Sequence, residues 1–262
     1  MLDFSFFKAV IIFAVTFFVT FVGASTGGSA MFTIPLCIFL GFPVHVAVAT
    51  TRFSAFFSML GAFFGFSKHK KIDYRMGVIG SLIACIGAYF GSNMLLLISE
   101  ELAKKVMGFV MLFLLIVSFL KKSCSKDSSK DDKTTKSLSK PRTSAWKKFF
   151  GYFMFFIIGG IGGAFGGQGV LLVYTLTLFF GMNFIVAAGT RVIVSFFITT
   201  MSLIIYSNAG AVHWHYGIVL AVASLFGTYL GAIYSIKKGE GLVEKIFEAI
   251  VVMISLKLLC FS

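Results

Sequence analysis

Apolar runs long enough to cross a lipid bilayer follow one another along almost the whole chain, and this narrows the possible folds most. Hydrocarbon offers backbone amides no partner, so a spanning segment must close its own hydrogen bonds. For a single apolar run that means an α-helix of about 20 residues at about 1.5 Å each. The composition agrees: 13% of residues are charged and the mean hydropathy is +0.96, whereas a soluble domain is about 25% charged. The expected fold is an all-α polytopic membrane protein. Met1-Leu2-Asp3 lacks a basic start, and no small-residue cleavage site follows, so the first run does not read as a cleavable signal peptide.

Breakers divide each half into five apolar segments. The first half gives Phe4–Ala24, Ala30–Gly41, Val44–Phe66, Met76–Ile98 and Leu102–Leu120. The second gives Phe149–Phe165, Val170–Gly181, Phe184–Tyr206, Tyr216–Ile236 and Leu242–Phe261. The second segment of each half is too short for an upright crossing and follows a Gly-rich break. The chain therefore divides into a first transmembrane repeat (1–120), a basic linker (121–148) and a second transmembrane repeat (149–262). Ten of the 23 Lys and Arg lie between Lys121 and Lys148. With Asp127, Asp131 and Asp132 there, the block carries +7 of the net +13, and it reads as a cytoplasmic loop under the positive-inside rule, not as a nucleic-acid signal.

The halves repeat one another. Gly27-Gly28 followed by Thr51-Arg52 returns, at the same spacing, as Gly166-Gly167 followed by Thr190-Arg191. Ile72–Gly77 matches Val212–Gly217, and Gly87–Gly91 matches Gly227–Gly231, at an offset one residue larger. This reading puts a one-residue slip between Gly41 and Arg52. Duplication with Gly-interrupted short segments is the sequence pointer to a transporter binding site.

Loop charge sets the relation between the copies. Lys68, Lys70, Lys71 and Arg75 crowd one loop, whereas its counterpart, Ser207–His215, has no Lys or Arg. Loops of the same rank thus fall on opposite sides, which favours an inverted repeat with an odd number of crossings per half. A Gly-broken helical hairpin plus three full transmembrane helices in each half satisfies this, as do five crossings. Four crossings would make the repeats parallel.

Arg52 and Arg191 fall well inside apolar segments that contain no carboxylate. An Arg at membrane depth costs roughly 2.5–3.5 kcal/mol on insertion scales. Its guanidinium is a planar fork suited to oxyanions, so an anionic ligand is one partner; backbone carbonyls and snorkelling are the others. Gly27, Gly28, Gly166 and Gly167 let the chain turn with positive φ, and a helix beginning after such a break aims its free N–H groups at an anion. Ser29, Thr51, Gln168 and Thr190 supply polar groups nearby, although each alone is more often a cap or an internal bond. These ten residues form the candidate substrate site.

Other residues read more plainly. Gly87/Gly91 and Gly227/Gly231 are close-packing positions. Asp73 reads as a helix cap, and His213-Trp214-His215 as an interfacial belt. His45 is a lone structural histidine or a proton carrier, and Glu248 either pairs with a lysine or couples transport. Cys37, Cys85, Cys124 and Cys260 have no CxxC or metal spacing, so no disulfide, metal or cofactor is inferred. The phenylalanines read as lipid-facing bulk. No GxSxG, HExxH or phosphate-loop pattern points to an enzyme.

Gly-Gly-Ser29 followed by Ile34-Pro35, then His45-Val-Ala-Val-Ala-Thr-Thr-Arg52, then Lys71-Ile-Asp-Tyr-Arg75, resembles the TauE/SafE sulfite exporter family. Gly166-Gly167, Gly189-Thr190-Arg191 and Gly210-Ala-Val-His-Trp214 resemble its second repeat. Thr51 stands where that pattern has Asn, and Tyr174 where it has Pro. The resemblance implies export of sulfite or a related organosulfur anion across the plasma membrane by a secondary transporter. An anion channel and a non-transporting membrane scaffold are the alternatives. The expected partners are a small anionic substrate and the lipid bilayer, with no nucleic acid.

Overall fold

A computed structural model of the protein describes residues 6–24, 29–69, 71–110 and 145–238. The helices are α1 (Phe6–Val22), α2 (Ala30–Phe39), α3 (Val44–Lys68) and α4 (Tyr74–Leu97), then α5 over residues 100–110. They continue with α6 (Ala145–Phe165), α7 (Gln168–Phe180), α8 (Phe184–Asn208) and α9 (Trp214–Lys238). No strand occurs among the described residues. Of these helices α3, α4, α8 and α9 are long and apolar enough to cross a membrane. The expected segments coincide with α1–α4 and α6–α9 to within a few residues. The linker, Glu248 and the segment Leu242–Phe261 lie outside the described residues.

The chain makes its turns where the sequence has breakers. Gly41 (φ 93°) ends α2, and Gly181 (φ 65°) ends α7. Pro43 then precedes α3 with extended ψ, as a residue that cannot donate a helix hydrogen bond suits that place. Asn183 accepts the Ile185 amide at the start of α8, and Asp73 accepts the Met76 amide at the start of α4, both at 3.1 Å.

Small residues face inward and large apolar ones outward. On α4, Gly80, Ala84, Gly87 and Ala88 are buried, while Val78, Leu82, Ile86, Phe90 and Met94 are exposed at helical spacing. Lipid tails are as apolar as Leu, so helix association relies on close packing between small residues. A Cβ on Gly87 would meet the Phe156 carbonyl, and one on Gly91 the Gly160 carbonyl. Gly227 and Gly231 sit likewise against Phe17, Thr20 and Phe21. Both glycine pairs are packing positions, as expected. The contacts of α6 with α4 thus have a counterpart in those of α1 with α9. Many of the phenylalanines, including Phe18, Phe64 and Phe90, are outward-facing.

Two hydrogen bonds fix how α3 and α8 lie. Thr50, early in α3, accepts the backbone amide of His213, just beyond the end of α8, at 3.0 Å. Thr190, early in α8, accepts the amide of Asp73, just beyond the end of α3, at 3.0 Å. The start of each helix therefore lies beside the end of the other, and the two run antiparallel. Phe56 and Phe196 meet between them with ring centroids 5.1 Å apart.

The same bonds correct the expected register. Thr50 and Thr190 play matching roles, as do Asp73 and His213, and Gly41 and Gly181 turn the chain at matching points. These pairs share one offset of 140 residues, whereas Arg52 and Arg191 are 139 apart. Thr51 is the positional counterpart of Arg191, and Arg52 stands one residue further along.

Candidate functional site

Both arginines are fully enclosed. Arg52 is 2% exposed and Arg191 1%. Each lies about 11–12 Å from the start of its helix at about 1.5 Å per residue, too deep for its head to reach water along its own helix. No ion pair joins either to a carboxylate among the described residues; the acid–base pairs found there are Lys104–Glu100 and Lys105–Glu101 on α5.

Each arginine reaches across to the break in the opposite half. Arg191 donates Nη2 to the carbonyl of Ala24, which follows α1 and leads into the first break. Its Nε and Nη1 meet no hydrogen-bond partner among the described residues. Arg52 lies against Gly166: a Cβ added there would stand 3.1 Å from Nη2 and 3.4 Å from Cζ. Arg52 Nε and Nη2 likewise have no partner among the described residues. The negative end of a helix dipole favours a cation at both places, and the donors left over exceed what the surrounding carbonyls take up.

The second break has the expected backbone. Gly166 (φ 84°) and Gly167 (φ 72°) are consecutive left-handed residues, and Gly167 stands at the start of α7 with no side-chain cap. An L side chain at either position is strained. The added Cβ at Gly166 would also stand 3.0 Å from that of Ala30, the first residue of α2. The start of α2 thus adjoins the second break. Gln168 is buried and packs its aliphatic stem on Gly162.

The remaining candidates divide. Ser29 sits at the start of α2, where its carbonyl accepts the amides of Phe32 and Thr33. The Thr51 hydroxyl donates to Val48 O at 2.8 Å within its own helix. Thr190 is taken up by Asp73. The structure brings Arg52, Gly166 and Ala30 together and sets Arg191 beside Ala24; it turns Thr51 and Thr190 to structural bonds. Gly27 and Gly28 lie outside the described residues. His45 Nε2 is 3.0 Å from Leu95 O, an ordinary structural tie between α3 and α4.

Tyr206 is a residue that the sequence left unmarked. It is 1% exposed, and its hydroxyl donates to Gly163 O at 2.9 Å and Ala164 O at 3.2 Å, covering the last carbonyls of α6. Gly163 and Ala164 lie just before Gly166, the residue against which Arg52 packs. Ser92 supports the same helix end, donating to Gly163 O at 3.1 Å. A buried Tyr near a helix end usually has a polar partner, which is the signal that would have found it.

Antiparallel spanning helices, Gly-broken short helices and enclosed cations define an integral membrane protein of the transporter class. The sequence model for the sulfite exporter TauE/SafE matches residues 12–258, and the chain belongs to that family. It is 25% identical over 250 residues to a probable membrane transporter protein of Haemophilus influenzae, covering 95% of this chain and 93% of the relative. It is 24% identical over 221 residues to the probable membrane transporter protein YunE of Bacillus subtilis, covering 82% and 81%. No solved structure matches.

Proposed function

We propose that this transporter exports a small sulfur-containing oxyanion, such as sulfite or an organosulfonate, across the plasma membrane. The anion binds near the midplane between two inverted repeats and meets Arg52 and Arg191 in turn as its charge partners. The observation that carries this reading is the pair of enclosed guanidiniums, each with unpartnered N–H groups and each beside the break in the opposite half. An unpaired buried charge is costly, and a bound oxyanion offsets that cost with charge-assisted hydrogen bonds. The antiparallel course of α3 and α8 supports the inverted arrangement, and the family's sulfite exporter description supports the substrate class.

Glycine at 166 and 167 lets the backbone approach the ligand, and the free amides at the start of α7 add donors. Thr51, Thr190, Ser29 and Gln168 shape the surroundings, and Gly27-Gly28 supplies the matching break. The linker 121–148 and the loop Lys68–Arg75 lie in the cytoplasm under the positive-inside rule. An inside-negative potential then drives anion exit by about 2.3 kcal/mol per charge per 100 mV, so export needs no intramembrane acid.

The test is radiolabelled sulfite flux in proteoliposomes. Arg52→Gln and Arg191→Gln proteins that elute as folded monodisperse species should lose most saturable flux. Parent-like rates in both would overturn the assignment. Competition by organosulfonates against sulfate and carboxylates identifies the preferred oxyanion.

A further inference from the structure

Five side chains form one polar face along α8: Arg191, Ser195, Thr199, Ser202 and Tyr206. Steps of four, four, three and four residues keep them within one side of the helix. All are at most 1% exposed. Arg191 stands at one end; Tyr206 at the other bonds the carbonyls of Gly163 and Ala164, just before Gly166, against which Arg52 lies. The face spans about 22 Å at about 1.5 Å per residue, most of a bilayer core.

The two middle hydroxyls are unusual for this protein. A Ser or Thr in a spanning helix ordinarily donates to a carbonyl one turn back. Thr20, Thr177, Thr200, Ser202 and Ser235 all do so here, to Thr16, Val173, Phe196, Ile198 and Gly231. Ser195 Oγ and Thr199 Oγ1 are equally buried and meet no partner among the described residues; Thr16 and Ser58 share this state, but each stands singly on its helix. A buried hydroxyl left unmatched costs about 1–3 kcal/mol, so two in succession on one face have a use that packing does not supply. At the positions 140 residues earlier α3 carries Ala55 and Met59; its own buried hydroxyls, Ser54 and Ser58, lie one residue before them, and Ser54 is bonded to α9.

We propose that this face of α8 is the route by which the anion passes between Arg191 and Arg52. Ser195 and Thr199 donate to it in turn as it leaves one guanidinium for the other. This rests on the anion-transport reading above but assigns residues outside that binding set. Hydroxyl donors suit the task because they solvate an oxyanion without adding charge, so no intermediate station holds it too tightly to leave.

The test uses thiol accessibility, which does not require knowing the transported anion. In full-length protein with the four native cysteines replaced, Ser195→Cys and Thr199→Cys are treated in proteoliposomes with anionic and cationic methanethiosulfonate reagents of similar size. Ile193→Cys, on the far side of α8, is the control. Both stripe thiols should react with the anionic reagent at least roughly tenfold faster than with the cationic one, as a route lined by fixed positive charge concentrates anions. The control thiol should react with neither. Equal rates, or no reaction at the stripe positions, would overturn the route. Sulfite flux through Ser195→Ala/Thr199→Val is the second arm: turnover should fall roughly tenfold with KM little changed. Charge-selective labelling without sulfite flux in the parent would retain the route and overturn the sulfite reading instead.

Discussion

Arg191 of α8 donates Nη2 to the carbonyl oxygen of Ala24, at the end of a helix in the other half of the chain. Its Nε and Nη1 have no hydrogen-bond partner among the described residues. A lysine keeps the charge but presents a single head that cannot hold the carbonyl and offer a planar pair of donors together. Arg191→Lys should therefore raise KM by roughly 10- to 150-fold, the equivalent of about 1.5–3 kcal/mol for a hydrogen bond to a charged group. Initial-rate kinetics in proteoliposomes measure this; an unchanged KM would assign Arg191 to Ala24 alone.

Thr50 and Thr190 join the halves by accepting amides that begin α9 and α4. Valine conserves shape but leaves each amide unmatched, at about 1–3 kcal/mol. Thr50→Val and Thr190→Val should each lower the unfolding midpoint in detergent by a similar amount. The two have no shared partner, so the double variant should show the sum.

Gly41 and Gly166 are both left-handed, yet their surroundings differ. A Cβ at Gly41 meets nothing within 4 Å, whereas one at Gly166 meets Arg52 and Ala30. Both alanine variants should lose about 1–2 kcal/mol of stability from the backbone strain. Gly166→Ala alone should also abolish sulfite flux, because it displaces the guanidinium. Thermal unfolding and flux on the same preparations separate the two effects.

Gly91 meets the backbone of Gly160 so closely that any side chain must part α4 from α6. Overpacking of this kind costs about 1–3 kcal/mol. Gly91→Ala should lower the unfolding midpoint, while Gly108→Ala, with open space around it, should leave it unchanged or raise it slightly through better helix propensity.

Much of this architecture is legible from residue order alone. Hydropathy located the described segments, since a run flanked by Gly-Phe-Pro43 or Gly-Met-Asn183 has few ways to end. Glycine spacing marked Gly87/Gly91 and Gly227/Gly231 as close-packing positions, but not that their partners are α6 and α1. The register of the halves was not legible. Two Thr-Arg pairs invite alignment, but the match is decided by which hydroxyl meets the Asp73 or His213 amide, a contact between segments distant in sequence. Ser195 and Thr199 escaped notice for a related reason. Most spanning-helix hydroxyls bond within their own helix, and only the three-dimensional structure separates those that do from those that do not. Tyr206 was hidden by its place at a segment boundary.

The one-residue displacement of Arg52 from the position matching Arg191 has a further consequence. Two interchangeable halves related by a twofold axis in the membrane plane would make a carrier with no front or back. Here one arginine is held by a carbonyl and the other lies against Gly166, so the two ends of the proposed route are chemically distinct. On the proposed route an anion therefore meets two unlike guanidinium settings, one tied to a carbonyl and one against the glycine break that follows α6.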